Sequence, residues 1–178
     1  GSVTLTGTSN VTAVSSYQWS AMFDFKVEYP PSSPTSSIRL GGNTRYDTMV
    51  AIADAGFTSS DTVVLASGEN FPDALSASSL AGAYKAPVIM TSRDSLSEQA
   101  KTEIERLGAS KVFIIGSPAA ISTSVESMLG DMGLTTERIA GSNRQETAAK
   151  VASKTADAKS PSTVIVASGE NFPDALSI

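Results

Sequence analysis

Apolar and polar residues alternate along the first 29 residues of the chain. Most apolar side chains fall on odd positions from Val11 to Tyr29, and most residues between them are polar. A period of two residues is typical of half-buried β-strands. A hairpin of this size cannot hold a core of its own, so we interpret residues 1–29 as the end of an upstream β-rich domain or, alternatively, as an extra layer on the domain that follows. Residues 30–37 are rich in proline and serine, which predicts an extended linker.

The pattern changes at Ile38 to short apolar runs that alternate with helical patterns. Largely apolar runs occupy residues 62–66, 87–90 and 111–115. Runs without polar alternation are typical of strands that are buried on both faces of a parallel sheet. We therefore predict three such strands.

Two further stretches have the 3.6-residue period of amphipathic helices. The apolar positions are Leu96, Ala100, Ile104 and Leu107 in the first stretch, and Ile121, Val125 and Leu129 in the second. Ser95 and Glu98 are expected to form a capping box that starts the first helix, and Ser122 is expected to open the second. Strands that alternate with helices predict an α/β fold, a three-layer, Rossmann-like arrangement around a parallel sheet with right-handed crossovers.

The chain contains an internal repeat. Residues 66–76 and 167–177 are identical over eleven positions, Ala-Ser-Gly-Glu-Asn-Phe-Pro-Asp-Ala-Leu-Ser, at an offset of 167 − 66 = 101. A second block, residues 39–48, matches residues 138–147 at an offset of 138 − 39 = 99. A period of about a hundred residues exceeds that of solenoid repeats, so each copy is expected to be a domain-sized unit.

These offsets divide the chain into a first repeat at residues 38–137 and a truncated second repeat at residues 138–178. The second copy has the sequence of a strand around Val164 to Ala167. An unpaired apolar strand would invite aggregation or exchange with another chain. We therefore expect residues 138–178 to complete the sheet of the first repeat.

Composition and charge exclude several classes of protein. The 178 residues are 40% hydrophobic and 17% charged, as in soluble globular proteins, and the net charge of −5 comes from 13 basic and 18 acidic residues. Nucleic-acid binding would need a basic face, and no run of Lys or Arg supplies one. No apolar run approaches the roughly 18 residues that span a bilayer, so no membrane span is expected.

Catalytic and metal chemistry also lack their usual residues. Cysteine and histidine are absent, which removes thiol nucleophiles, disulfides, the usual zinc sites and the commonest general base. No nucleophile elbow, P-loop or dinucleotide-binding glycine motif is present. We therefore expect neither enzyme activity nor a metal or cofactor.

The repeated segment follows a predicted strand and opens a helix, where parallel sheets commonly bind ligands. One interpretation is structural: Gly68 turns the chain, Asn70 caps the helix and Asp73 lies near its positive end. In the other, Ser67, Asn70 and the turn amides line a cleft for a sugar or an anion. The corresponding residues of the second copy are Ser168, Asn171 and Asp174. The sequence leaves both interpretations open.

Arg45 and Arg144 fall near the predicted starts of two helices, where a cation opposes the helix dipole. Each arginine either pairs with an acid of the fold, such as Asp47, Glu146 or Asp73, or binds an external anion. Arg39 and Arg138, at the start of each repeat, present the same alternatives.

Several motifs follow one another at consistent spacing. They are Arg-Leu-x-Gly-x-x-Arg-Tyr-x-Thr at residues 39–48, Val-Val-Leu-Ala-Ser-Gly-Glu-Asn-Phe-Pro-Asp-Ala-Leu at 63–75, Pro-Val-Ile-Met at 87–90, and Val-Phe-Ile-Ile-Gly at 112–116. With these motifs, residues 38–178 closely resemble the cell wall binding repeat 2 family of Gram-positive surface proteins. The resemblance does not extend to residues 1–37.

The resemblance implies a non-enzymatic module that holds a secreted protein to the wall by binding an anionic secondary polymer of the teichoic-acid type. A Pro-Ile-Leu-Leu element is associated with anchoring in the family, and its counterpart here is Pro87, Val88, Ile89 and Met90. Family members commonly carry three repeats, so further copies in the same protein or in another chain are expected partners. The competing hypothesis is that these domains chiefly assemble protein with protein, as scaffold or surface-layer units.

Overall fold

The structure is a computed structural model that describes residues 37–170. The predicted β-rich segment at residues 1–29 and the linker up to residue 36 lie outside the described residues, as do Asn171 and Asp174. A compact unit begins at Arg39.

Helices and strands alternate through this unit. The helices are α1 (Arg45–Gly56), α2 (Phe71–Tyr84), α3 (Glu98–Leu107), α4 (Thr123–Asp131) and α5 (Arg144–Lys159). The strands are β1 (Thr62–Ser67), β2 (Val88–Thr91), β3 (Lys111–Ile115) and β4 (Thr135–Ile139).

The four strands form one parallel sheet in the order β2-β1-β3-β4. The α/β fold and the three strands predicted from their apolar runs are confirmed. β4 was not predicted, because Thr135, Thr136, Glu137 and Arg138 give it no apolar run.

The sheet separates two hydrophobic layers. Alternate residues of β1 point to opposite faces: Val63 and Leu65 pack with α1, α3 and α4, whereas Val64 and Ala66 pack with α2 and α5. All four side chains are fully buried. The structure is therefore the predicted three-layer arrangement, with its centre at β1 and β3.

The helix starts differ in part from the sequence prediction. Ser97, not Ser95, caps α3: its hydroxyl accepts a hydrogen bond of 3.2 Å from the Ala100 amide. The predicted capping box is wrong because the carbonyl of Ser95 accepts a hydrogen bond from the Thr91 hydroxyl, and Ser95 stays in the loop before α3. Ser122 does occupy the N-cap of α4, although its side chain makes no capping hydrogen bond.

The repeat-equivalent helices α1 and α5 bury different, adjoining faces. At the offset of 99, Ile52 of α1 corresponds to Val151 of α5; Ile52 is 54% exposed, whereas Val151 is 1% exposed and packs with the α2 layer. Conversely, Met49 of α1 is buried under the sheet, and its counterpart Ala148 is exposed. A repeat helix thus has two faces suited to burial, one toward its own sheet and one toward the α2 helix of a neighbouring repeat.

The second repeat completes the sheet in a different way from the prediction. The sequence boundary at Arg138 falls within β4, so this strand and α5 belong to the same compact unit as the first repeat. Residues 163–167 form no strand, and Val164 is 73% exposed. The predicted strand at Val164 to Ala167 is therefore wrong: residues 163–167 pair with none of the four strands of the sheet.

Candidate functional site

The loops at the carboxyl ends of the strands meet along one side of the sheet, which we call the carboxyl edge. It comprises Ser67 at the end of β1 and residues 68–70 after it, 92–94 after β2, 116–120 after β3 and 140–143 after β4. The strand order places the topological switch point between β1 and β3. Open α/β sheets bind ligands at such a point.

The turn after β1 is held by hydrogen bonds on both sides. The buried hydroxyl of Ser67 accepts a hydrogen bond from the Glu69 amide at 3.1 Å. The Gly68 amide donates to the Thr91 carbonyl at the end of β2, at 2.9 Å. Ser67 is therefore occupied in shaping the turn, and it lies beneath the surface of the carboxyl edge.

Arg45, the first residue of α1, contacts this turn. Its guanidinium donates to the Gly68 carbonyl. The next residue, Tyr46, packs against Gly68 so closely that a Cβ there would lie 2.6 Å from the tyrosine ring. Gly68 is consequently required for the approach of α1 to the turn.

The second repeat builds the same contact. Arg144, the first residue of α5, donates to the Gly169 carbonyl at 3.1 Å. The Ser168 hydroxyl accepts from the Glu170 amide at 3.2 Å, as Ser67 does from Glu69. This arginine–turn contact thus forms in both copies, although the strand before the second turn is absent.

Neither arginine pairs with the acid two residues further on. Asp47 accepts hydrogen bonds from Gln99 at 2.9 Å and from the Thr44 hydroxyl at 2.8 Å, and these bonds lower its pKa. Glu146 accepts from the Ser142 hydroxyl at 2.6 Å, and this bond is the largest cause of a pKa of about 2. The contact with a turn carbonyl is thus a third role that was not predicted. Within residues 37–170, no other hydrogen bond or ion pair involves these exposed guanidinium groups.

Asp73 lies at the switch point. It stands in the first turn of α2, and a Cβ on Gly116, the residue after β3, would lie 2.5 Å from its Oδ2 atom. Burial raises the pKa of Asp73, and the charge of Arg144 offsets part of that shift. Gly116 has φ +106°, so it provides both the turn after β3 and the space for the carboxylate.

Arg138 and Arg39 have different surroundings although they are equivalent in sequence. The side chain of Arg138 is 15% exposed, pairs with Glu126 at 2.8 Å, and donates to the carbonyls of Gly116 and Ile121 at 2.8 and 2.9 Å. These contacts favour a structural role for Arg138 and argue against an external anion there. Arg39 is exposed, and none of its hydrogen bonds or ion pairs involves another described residue.

The Pro-Val-Ile-Met element lies in and just before β2, at one border of the sheet. Pro87 and Ile89 are buried, Val88 and Met90 are partly buried, and the Pro87 carbonyl accepts a hydrogen bond of 3.0 Å from Val64. The structure does not bring these side chains together with the arginines of the carboxyl edge. Their anchoring role stays a prediction.

Two other features of the carboxyl edge bear on a site. Asn70 is the N-cap residue of α2, but its exposed side chain makes no capping hydrogen bond and none with another described residue. Arg93, which the sequence analysis missed, donates to the Ala119 carbonyl at 3.0 Å and pairs with Asp94. Its backbone amide donates to Glu69 at 3.2 Å, which ties the loops after β1 and β2 together.

Among residues 37–170, no cluster of three or more acidic side chains could hold a metal ion. Within the same range, no helix has the length and apolar character needed to cross a membrane.

Comparison with known proteins shows the family to which this chain belongs. The model of cell wall binding domain 2 matches residues 39–126 and again residues 138–178. The chain belongs to the cell wall binding domain 2 family. The first matched segment begins at Arg39 and the second at Arg138, and the family is a binding module.

Relatives of this cell wall binding chain include two proteins of Bacillus subtilis. The N-acetylmuramoyl-L-alanine amidase LytC is 38% identical over 114 residues, which are 64% of this chain and 23% of LytC. The amidase enhancer is 32% identical over 140 residues, which are 79% of this chain and 19% of the enhancer.

Two solved structures of Clostridium difficile proteins share the fold. Cwp6 has a TM-score of 0.65 at 29% identity over 73% of this chain, and Cwp8 has a TM-score of 0.62 at 28% identity over 65%. The chain spans less than a quarter of the length of each of these four proteins. Together with the family match, they place this chain at the cell wall of Gram-positive bacteria, as a surface protein.

Proposed function

We propose that this chain anchors a surface protein non-covalently to an anionic secondary polymer of the cell wall, of the teichoic-acid type. The observation that carries the proposal is the recurrence of one arginine–turn contact in both repeats, Arg45 with Gly68 and Arg144 with Gly169. A contact that was only structural would not need an exposed guanidinium, since a buried donor would serve equally well. The remaining donors suit phosphate or carboxylate groups.

The charge of the protein makes each such site weak. A net charge of −5 repels a polyanion, and exposed ion pairs contribute only about 0–1 kcal/mol. Useful affinity then comes from several repeats on one polymer, through effective concentration. Binding should also weaken as salt increases.

Co-sedimentation with purified Gram-positive walls tests this proposal. It is measured at low and moderate salt, with walls before and after chemical removal of their anionic polymers. We expect the chain to pellet with intact walls and to stay in solution with stripped walls. The double variant Arg45→Ala/Arg144→Ala should bind intact walls at least about threefold more weakly.

A matched control removes two other exposed cations, Lys101→Ala/Lys159→Ala, at an equal cost in charge. This control should pellet like the unaltered chain. Equal losses of wall binding in both double variants would show that the loss depends on net charge and not on the arginine sites. A collapse of thermal stability in the arginine variant alone, or pelleting that survives stripping, would contradict the proposed polymer site.

Assembly of protein with protein is the second candidate function. It is favoured by the exposed apolar residues Val164, Ile165 and Val166. Concentration-dependent oligomers that form without wall material would support it.

A further inference from the structure

Asp73 differs from every other carboxylate that is at least partly buried within residues 37–170. The others accept hydrogen bonds or form ion pairs with neighbouring side chains; they are Asp47, Glu103, Glu126, Glu137 and Glu146. The carboxylate of Asp73 has no such partner among the described residues, and only its backbone carbonyl accepts a hydrogen bond, from the Ser76 hydroxyl. A carboxylate that leaves water without a partner costs free energy, so the contacts of the fold do not account for its position.

Asp73 does not serve as a capping residue either. α1, α2 and α5 each carry an acid in their first turn. The acids of α1 and α5 accept hydrogen bonds from residues just before the helix, Asp47 from Thr44 and Glu146 from Ser142. Asp73 accepts none from the residues before α2. The interaction with the dipole of α2 is what remains as a structural role for this carboxylate.

The carboxylate of Asp73 lies at the switch point between β1 and β3, where open α/β sheets bind ligands. Gly116 leaves space for its Oδ2 atom, which a Cβ there would approach to 2.5 Å. Arg144 and Pro72, the residue before Asp73, line one groove. Burial raises the pKa of Asp73 and the charge of Arg144 offsets part of that rise, although the two side chains form neither an ion pair nor a hydrogen bond. The site therefore offers an acceptor and a cation that are not joined to each other.

The chemistry of these two groups selects the ligand. An ionised carboxylate only accepts hydrogen bonds, and a guanidinium only donates them. An anionic group of a ligand would therefore lie at Arg144, and the group at Asp73 must be a hydrogen-bond donor. A second cation would be repelled by Arg144, which favours a neutral hydroxyl over an ammonium group.

We propose that Asp73 accepts a hydrogen bond from a free hydroxyl group of the wall polymer, beside the anionic group that Arg144 binds. The ligand is then a polyanion whose repeating units carry hydroxyl groups next to their charges. The inference rests on the proposed function and adds the hydroxyl to the anion as a second recognised group.

Calorimetric titration of the full 178-residue chain with soluble poly(glycerol phosphate) tests this hydrogen bond. The same polymer after O-acetylation keeps its charge but has no free hydroxyl. We expect acetylation to weaken binding by the unaltered chain at least about threefold. Asp73→Asn keeps the shape of the side chain and should weaken binding of the untreated polymer by a similar factor. Acetylation should then have no further effect on this variant.

Asp131→Asn is the matched control, because it removes the same charge from an exposed aspartate, the last residue of α4. It should bind like the unaltered chain and remain sensitive to acetylation. At pH 7, Asp73→Asn should melt no lower than the unaltered chain, because the carboxylate that it removes has no partner in the described part of the fold.

Equal effects of acetylation on the unaltered chain and on Asp73→Asn would overturn the inference and leave the proposed anchoring function standing. A lower melting temperature of Asp73→Asn with unchanged polymer binding would also overturn it and assign Asp73 to the helix dipole. A chain that binds neither form of the polymer, and does not pellet with intact walls, would overturn the anchoring function together with this inference.

Discussion

Gly116→Ala tests whether the carboxyl edge depends on the space that Gly116 leaves for Asp73. The substitution has two costs. A side chain at φ +106° is strained by about 1–3 kcal/mol. The new Cβ would also lie 2.5 Å from Oδ2 of Asp73 and 3.0 Å from Cβ of Ala120, and overpacking of this kind costs about 1–3 kcal/mol. We expect a loss of about 2–6 kcal/mol in the free energy of unfolding.

Gly133→Ala is the matched control. Gly133 also has a positive φ, +80°, but a Cβ there would meet nothing within 4 Å. Only the backbone strain applies, so this variant should lose about 1–2 kcal/mol. Urea denaturation of both variants at pH 7 measures the difference between them.

Asp73→Ala in the Gly116→Ala background separates the contact from the strain. Removing the carboxylate should recover the part of the loss that comes from overlap, which a double-mutant cycle reports as a coupling energy. The reasoning is refuted if Gly116→Ala costs no more than Gly133→Ala, or if the cycle gives no coupling between Asp73 and residue 116.

Two further predictions concern charged groups away from the turn. Glu103 is 1% exposed and is held by Arg106 through hydrogen bonds of 2.9 and 2.6 Å. Arg106→Met leaves this carboxylate buried without its partner, so it should lower the free energy of unfolding, measured with urea, by about 3 kcal/mol. The double change Glu103→Leu/Arg106→Met should lower it by less than that single change. The pKa of Glu146 is lowered to about 2 from an ordinary 4.5. Its contribution to the free energy of unfolding is therefore fully present above about pH 4.5 and is lost as the pH falls through 2. The difference in melting temperature between the unaltered chain and Glu146→Gln should then be constant at neutral pH and close on acidification, whereas a difference that persists at pH 2 would contradict this assignment.

The sequence predicted the apolar strands of the fold better than β4. Helices cover both faces of β1 and β3, so both faces of these strands are apolar and the runs were easy to recognise. β4 lies at the border, where Glu137 and Arg138 are stabilised by ion pairs with Lys111 and Glu126. Those partners are 12 to 26 residues away, so a local hydrophobic pattern could not reveal them.

The same limit applies to the arginines. Local sequence offered Asp47 and Glu146 as partners, whereas Arg45 in fact donates to a carbonyl 23 residues away. One signal in the sequence did point there: the arginine block and the turn block recur together in both copies. Recurrence of two blocks together indicates that both serve one structure, but it does not identify the atoms in contact.

The second repeat shows which features of this fold depend on a short segment of sequence and which depend on distant strands. Its turn at Ser168 and its contact with Arg144 form without a strand in the sheet, so the arginine–turn contact needs only the start of a helix and the turn itself. The strand before that turn has almost the sequence of β1 and still forms no pairing, because a strand depends on neighbours that the rest of the repeat must supply. A contact built on the turn can therefore be duplicated by repeating a short segment, whereas the core beneath it cannot. This difference explains how one chain can form the arginine–turn contact twice although only the first turn follows a strand of the sheet.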